Sequence, residues 1–276
     1  MRHYEDRFQG IGGIELYYQS WVPDGEPKAI LIIIHGLGEH GGRYPHVVEH
    51  LVPHSYAIYA VDLRGHGRSG EQRGHINSYD EIRSDMKTFI EIVQKKEAGK
   101  PLFLMGHSLG GLIVLDYVLH YPDGLKGVIA SAPTLMQTGI SPALMMIARI
   151  LSKLAPRFSL KTGLDASTIS RNPAVVEAYR SDPLVHSKGT PRMGAEIQTV
   201  MAWTNAHLAE VKLPFLTIQG EADRLVPLEA SRILYEKAAS TDKQRITYPD
   251  GYHEPHNDII HDQAVADLET WLEKHL

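Results

Sequence analysis

The sequence predicts an α/β fold, a mostly parallel sheet with helices on both faces and an inserted helical cap, and three observations carry that expectation. Short apolar runs at 30–34, 57–61, 101–105, 127–130 and 215–218 end in glycine, charge or proline, as strands buried on both faces do. Helical patterns separate them, which is the strand-helix-strand rhythm of a parallel sheet. The rhythm then breaks after Pro133 and returns near Leu213, and the residues between hold helical patterns but no convincing strand.

Taken in order, residues 1–8 carry acidic side chains and lack the apolar run of a secretory signal, so cytoplasmic residence is the expectation. Residues 14–21 alternate apolar and polar and read as an antiparallel edge strand. Ile82, Met86, Phe89, Ile90 and Val93 share one helical face, and Ser78 followed by Glu81 reads as a capping box. Leu112, Leu115, Val118 and Leu119 follow at helical spacing after the run at 101–105. Further on, the stretch from Ala143 to Leu154 is apolar around most of its girth, with only Arg149, Ser152 and Lys153 polar. It is far shorter than the roughly 18 apolar residues of a membrane span. Its plain reading is a cap helix packed on the core, and the alternative is a face that touches lipid or an acyl chain. The expected organisation is a first core part at 1–134, a helical cap at 135–206 and a second core part at 207–276.

Composition narrows the function classes. A chain of 276 residues with 43% hydrophobic and 22% charged residues is ordinary for one large domain. A formal charge of −5 leaves no basic stripe for phosphates, so nucleic acid is not an expected partner. The absence of cysteine removes disulfides, thiolate metal sites and cysteine nucleophiles.

The most specific signal is Gly106-His107-Ser108-Leu109-Gly110, entered from an apolar run and left through a helical pattern. A serine on such an elbow is held in a strained conformation that lifts its hydroxyl clear of the sheet, which makes Ser108 the candidate nucleophile. A hydroxyl needs a base, and the base needs an orienting group. On this architecture the partners follow in the order acid, then histidine, each in a loop after a later strand. Asp223 follows the run at 215–218, and His253 follows the strand-like run at 244–248. Glu221 competes for the acid and His256 for the base. His253 and His256 also have the spacing of a metal pair, but no third ligand is spaced with them, so no metal is expected. Oxyanion donors are expected from the backbone N–H groups of Leu109 and of Leu37, in the His-Gly turn after the first core strand. His35 reads as a structural histidine of that turn, and residues 62–69 as a tight turn beside the site.

These segments together, with His35 to Tyr44, Ser181-Asp182-Pro183-Leu184, residues 219–223 and Tyr252-His253, resemble the monoacylglycerol lipases and lysophospholipases of the α/β-hydrolase superfamily over nearly the whole chain. The resemblance implies that Glu39, Arg43 and His256 bind the alcohol part of the substrate. From the residues alone, Glu39 and Arg43 would be a solvated surface pair. Mammalian members carry cysteines in and near the cap, whereas this chain has Val185-His186 there, so thiol sensitivity does not carry over. Leu37 is bulkier than the small residue often found at its place, which narrows the acyl channel. The expected activity is hydrolysis of glycerol esters, foremost monoacylglycerols, without a cofactor; the alternatives are a lysophospholipase or broad carboxylesterase, and, more remotely, an idle receptor on the same fold. A lipid ester is the expected small-molecule partner, the cap the expected place of any membrane contact, and oligomeric state is not readable.

Overall fold

The computed structural model describes residues 1–136 and 142–276. Its elements in chain order are β1 (Arg2–Gln9), β2 (Glu15–Val22), β3 (Ala29–Ile34), α1 (Pro45–Leu51), β4 (Tyr56–Val61), α2 (Tyr79–Lys96), β5 (Leu102–His107), α3 (Leu109–His120) and β6 (Gly127–Ser131). There follow α4 (Pro142–Leu154), β7 (Leu160–Lys161), α5 (Pro173–Ser181), β8 (Lys188–Gly189), α6 (Pro191–His207), β9 (Phe215–Gly220), α7 (Glu229–Lys237), β10 (Lys243–Tyr248) and α8 (His261–Lys274).

Eight strands form one sheet in the order β1-β2-β4-β3-β5-β6-β9-β10. The six from β4 to β10 run parallel, and β1 and β2 are antiparallel additions at one side. β3 shows how the sheet divides the core. Ile30, Ile32 and Ile34 point to one face, where α2 and α3 pack, while Leu31 and Ile33 point to the other, under α1 and α8. That period of two with apolar residues on both faces explains the uninterrupted run.

Three expectations are corrected. The alternating segment at 14–21 is β2, but it is not an edge, because β1 pairs along its whole length. β1 carries no alternation to read: seven of its eight residues are exposed. The capping box does not form. The side chain of Ser78 makes no cap bond, and Glu81 reaches past it to accept from Asn77 N at 2.9 Å. The N-terminus of α2 is instead held from a distant helix, with Tyr79 N donating to Glu196 at 3.0 Å. The inserted segment also holds a two-stranded ribbon, β7 with β8, too short for any pattern to announce.

In α4 the apolar side faces outward. Met146, Ile147, Ile150 and Leu154 are 50–78% exposed, while Ser152 is buried and bonds back to Arg149 O. The plain reading of a helix packed on the core thus fails for this face. Ala143, Leu144 and Met145 belong to the same helix, and their side chains lie outside what is described. Among the described residues no helix is long and apolar enough to cross a membrane.

The inserted segment is tied to the core beside the strand ends. His186 N donates to Gly38 O at 2.8 Å, His40 pairs with Asp182 at 2.9 Å, and Glu254 N donates to Ile169 O at 2.9 Å. These bonds hold the segment between β6 and β9 against the loops that follow β3 and β10.

Candidate active site

Ser108 stands between β5 and α3 with φ 55° and ψ −116°, a conformation that an L-residue adopts only under strain. The glycines that flank it are required by contact. A Cβ on Gly106 would lie 2.0 Å from Gly110 O, and one on Gly110 would lie 2.0 Å from Ile34 O. Only hydrogen at both positions lets α3 lean back onto β5 and β3 directly after the turn. Ser108 O accepts from Leu112 N and Thr134 N, and its Oγ lies 3.5 Å from Thr134 Oγ1.

His253 Nδ1 donates to Asp223 Oδ2 at 2.8 Å, with both side chains buried. Asp223 is further fixed by N–H donors from Leu225 at 2.8 Å and Val226 at 3.0 Å, and by Gln219 at 3.2 Å. Burial alone would push His253 down, but the adjoining Asp223 carboxylate overcomes it and holds the imidazole above its ordinary value. Asp223 is held low by the same pairing against the opposite pull of burial. The aspartate fixes the tautomer, leaving Nε2 as the proton acceptor. The His253 ring lies 4.7 Å from that of His107, the residue before Ser108. The rival carboxylate Glu221 is exposed and bonds to Thr247 at 2.7 Å. The rival base His256 is buried with neither ring nitrogen hydrogen-bonded, and burial pushes it down to about 3.

The Leu37 turn is clamped from both sides. His35 Nδ1 donates to Gly36 O at 2.7 Å while its Nε2 accepts from Leu63 N at 2.9 Å. Asp62 accepts from Gly41 N and Arg68 N, each at 2.8 Å, joining this turn to the one at 62–69. Leu109 N opens α3, where a helix leaves its first N–H groups without intrahelical partners.

Glu39 and Arg43 are not a solvated pair. Their side chains are 3% and 9% exposed. Glu39 accepts from Gly36 N at 2.6 Å, Tyr44 OH at 3.0 Å and Arg43 at 2.7 Å. Arg43 also forks onto Glu254 with two bonds of 2.8 Å, and its guanidinium lies 4.6 Å over the Tyr179 ring. Of the two carboxylates, Glu254 carries the charge most firmly: burial opposes it, but the Arg43 fork holds it down at about 2. Glu39 is raised, chiefly by burial. Sequence reasoning missed Glu254, Asn257 and Tyr179, which complete this network; only proximity to His253 could have flagged the first two. His256 stacks on Tyr44 with ring centroids 4.6 Å apart, so its unpartnered nitrogens stand beside the Glu39 and Arg43 cluster.

A cavity of about 350 Å³ with mostly apolar walls runs from Leu37 into the inserted segment, between Ala148 and Arg149 of α4, Leu160 and Lys161 of β7, and Met193 and Ile197 of α6. Its size is that of a small-molecule site. A strained serine, a histidine oriented by an aspartate, and an apolar cavity that begins at the Leu37 turn are the parts that acyl transfer requires.

The family described as serine aminopeptidase, S33 matches residues 25–260. A monoacylglycerol lipase of Mycolicibacterium smegmatis is 36% identical over 99% of this chain and 98% of its own length. A monoglyceride lipase of Rattus norvegicus is 31% identical over 94% of this chain and 87% of its own. Among solved structures, the monoacylglycerol lipase of Paleococcus ferrophilus superposes with a TM-score of 0.85 over the full length of both chains, at 33% identity. The chain is thus a serine hydrolase that belongs to the serine aminopeptidase S33 family and, within the α/β-hydrolase superfamily, to the monoacylglycerol lipases.

Proposed function

We propose that the protein cleaves monoacylglycerols to glycerol and free fatty acid through an acyl-enzyme on Ser108. The observation that carries this is the strained Ser108 directly after His107, whose ring lies 4.7 Å from that of His253 in the buried Asp223–His253 pair, with an apolar cavity starting at Leu37. Ser108 Oγ attacks the acyl carbonyl as His253 Nε2 takes its proton, Asp223 stabilises the resulting imidazolium, and the N–H groups of Leu37 and Leu109 hold the oxyanion. The proton then passes from His253 to the leaving glycerol oxygen, and water repeats the sequence on the ester.

His256 takes the first part in receiving the glycerol hydroxyls, since its nitrogens are the unpartnered ones. Glu39 and Arg43 reach the alcohol only with what their internal bonds leave over, and their larger effect is to hold the Leu37 turn. The acyl chain occupies the cavity under a cap at 135–206. The exposed apolar row of α4, continued by Phe158 at 58% exposure, docks on the lipid surface that holds the substrate.

Peptide hydrolysis, the activity in the family description, wants an anionic seat for a free α-amino group. The buried carboxylates nearest the site, Glu39 and Glu254, are both engaged by Arg43. A lysophospholipid is the second reading, favoured by Arg149 and Lys161 in the cavity wall. Initial rates on monoacylglycerols of graded chain length, beside lysophosphatidylcholine, diacylglycerol and an aminoacyl-anilide, decide among these. Monoacylglycerol is expected to be preferred; a clear preference for lysophospholipid or anilide overturns the proposal.

A further inference from the structure

On the face of the sheet away from the cavity's α4 and α6 walls, α1 and α8 pack side by side and gather histidines that the reaction does not use. A polar depression of about 250 Å³ there is lined by His46, Glu49, His50, His261, Asp262 and Val265. At its edge three metal-competent side chains converge. His50 lies in the last turn of α1, His54 in the turn that closes it, and Glu269 faces both from α8. His50 Nε2 is 2.7 Å from one carboxylate oxygen and His54 Nδ1 is 2.5 Å from the other. The two rings stand 5.2 Å apart at 85°, so their nitrogens approach the carboxylate from different directions. One donor atom from each residue lies within 4.8 Å of the others.

We propose that His50, His54 and Glu269 form a zinc(II) site that staples α1 to α8. Tetrahedral zinc holds nitrogen and oxygen donors at about 2.0–2.2 Å, which places neighbouring donors about 3.3 Å apart. The present spacings bracket that value, so small side-chain rotations admit the ion. Two neutral imidazoles and one carboxylate suit a borderline divalent ion, whereas calcium and magnesium prefer oxygen donors throughout. The side chains are 31%, 49% and 21% exposed, which leaves an entry path and a fourth position for water. The neighbouring Glu273 is already engaged by Lys28 and Tyr56, so it neither competes for the ion nor leaves the Lys28 charge unopposed.

The site joins two helices of separate consequence. α1 follows the turn with Leu37, Glu39 and Arg43, and α8 follows the loop with His253 and His256. Zinc bound only by the folded chain raises its stability by mass action, so occupancy strengthens the anchorage of both loops.

The test is titration calorimetry of tag-free, chelator-treated full-length protein with zinc chloride, together with melting temperatures with and without the ion. The expected result is one tightly bound zinc per chain and a higher melting temperature. Removing even an outer-shell partner of a metal site weakens binding by about 10- to 100-fold, so His50→Gln, His54→Gln and Glu269→Gln should each cost at least that and erase the thermal gain. His46→Gln, in the adjoining depression, should keep both. Equal melting temperatures of the variants in chelator show that folding is intact, and the three separate substitutions guard against one that misfolds. Absence of zinc binding, binding unchanged in all three variants, or loss in His46→Gln alone overturns the proposal.

Discussion

Replacing Arg43 by alanine separates a buried network from a solvated ion pair. In the structure one guanidinium serves two carboxylates, Glu39 and Glu254, each about 3% exposed. Deleting it leaves both buried without their cation, and removal of one partner of a buried ion pair costs about 3–5 kcal/mol. Exposed pairs contribute at most about 1 kcal/mol. For a chain of this size each kcal/mol moves the melting temperature by about 2–4 °C, so Arg43→Ala should lower it by about 6–20 °C. The loss should also depend on pH with a definite sign. In the wild type Glu254 sits at about 2, well below its unfolded value, so its contribution is fully present above that unfolded value and is lost only as pH falls toward 2. Without Arg43, burial dominates and the carboxylate rises above its unfolded value, so the variant loses stability as pH rises beyond that unfolded value. The gap between variant and wild type should therefore widen from pH 5 to pH 8. Scanning calorimetry at the two pH values measures it, and Arg43→Ala with Glu254→Gln should recover part of the loss. A melting temperature within about 2 °C of wild type at pH 8, the effect of an exposed pair, would refute the reasoning.

Ser108→Ala and His253→Ala should each lower kcat by about 10⁶-fold and Asp223→Asn by about 10⁴-fold, with a fluorophosphonate adding mass only to the Ser108 peptide. Labelling that survives Ser108→Ala would displace the nucleophile. Because Asp223 holds His253 above its ordinary 6.5, kcat/KM should fall with acid around a midpoint above 6.5, and Asp223→Asn should move that midpoint down. Gly110→Ala, whose Cβ would meet Ile34 O at 2.0 Å, should destabilise by at least about 1–3 kcal/mol in thermal unfolding, although alanine is the better helix former. Ile147→Ser and Leu154→Ser should each weaken sedimentation with phospholipid vesicles by about 10- to 150-fold, since burying such a side chain is worth about 1.5–3 kcal/mol. Hydrolysis of a dissolved p-nitrophenyl ester should stay near the wild-type rate, and equal loss of both would mean that α4 shapes the cavity instead.

What the sequence determined by itself was whatever depends on local period and local backbone demand. Strands β3 to β6 and β9 were legible because both faces are buried and every position is therefore apolar. The elbow was legible because Gly106 answers a clash within one strand-turn-helix unit and Gly110 one with the end of β3, and Asp223 and His253 were placed as candidates because the first follows the buried strand β9 and the second the strand-like run that is β10. What only the tertiary structure decided was where polar groups find partners. Glu39 and Arg43 look solvated from their neighbours in sequence, yet they are buried by Glu254, more than two hundred residues away, and by Tyr179 from the inserted segment. Glu81 was free to cap Ser78, but the start of α2 is satisfied by Glu196 instead. The face of α4 was ambiguous because apolar residues surround it, and packing alone selected Ser152 for the inside and Ile147 and Leu154 for the outside. Hydrophobic period is written locally, whereas the pairing of buried charge is settled by whichever distant side chain the fold brings within reach.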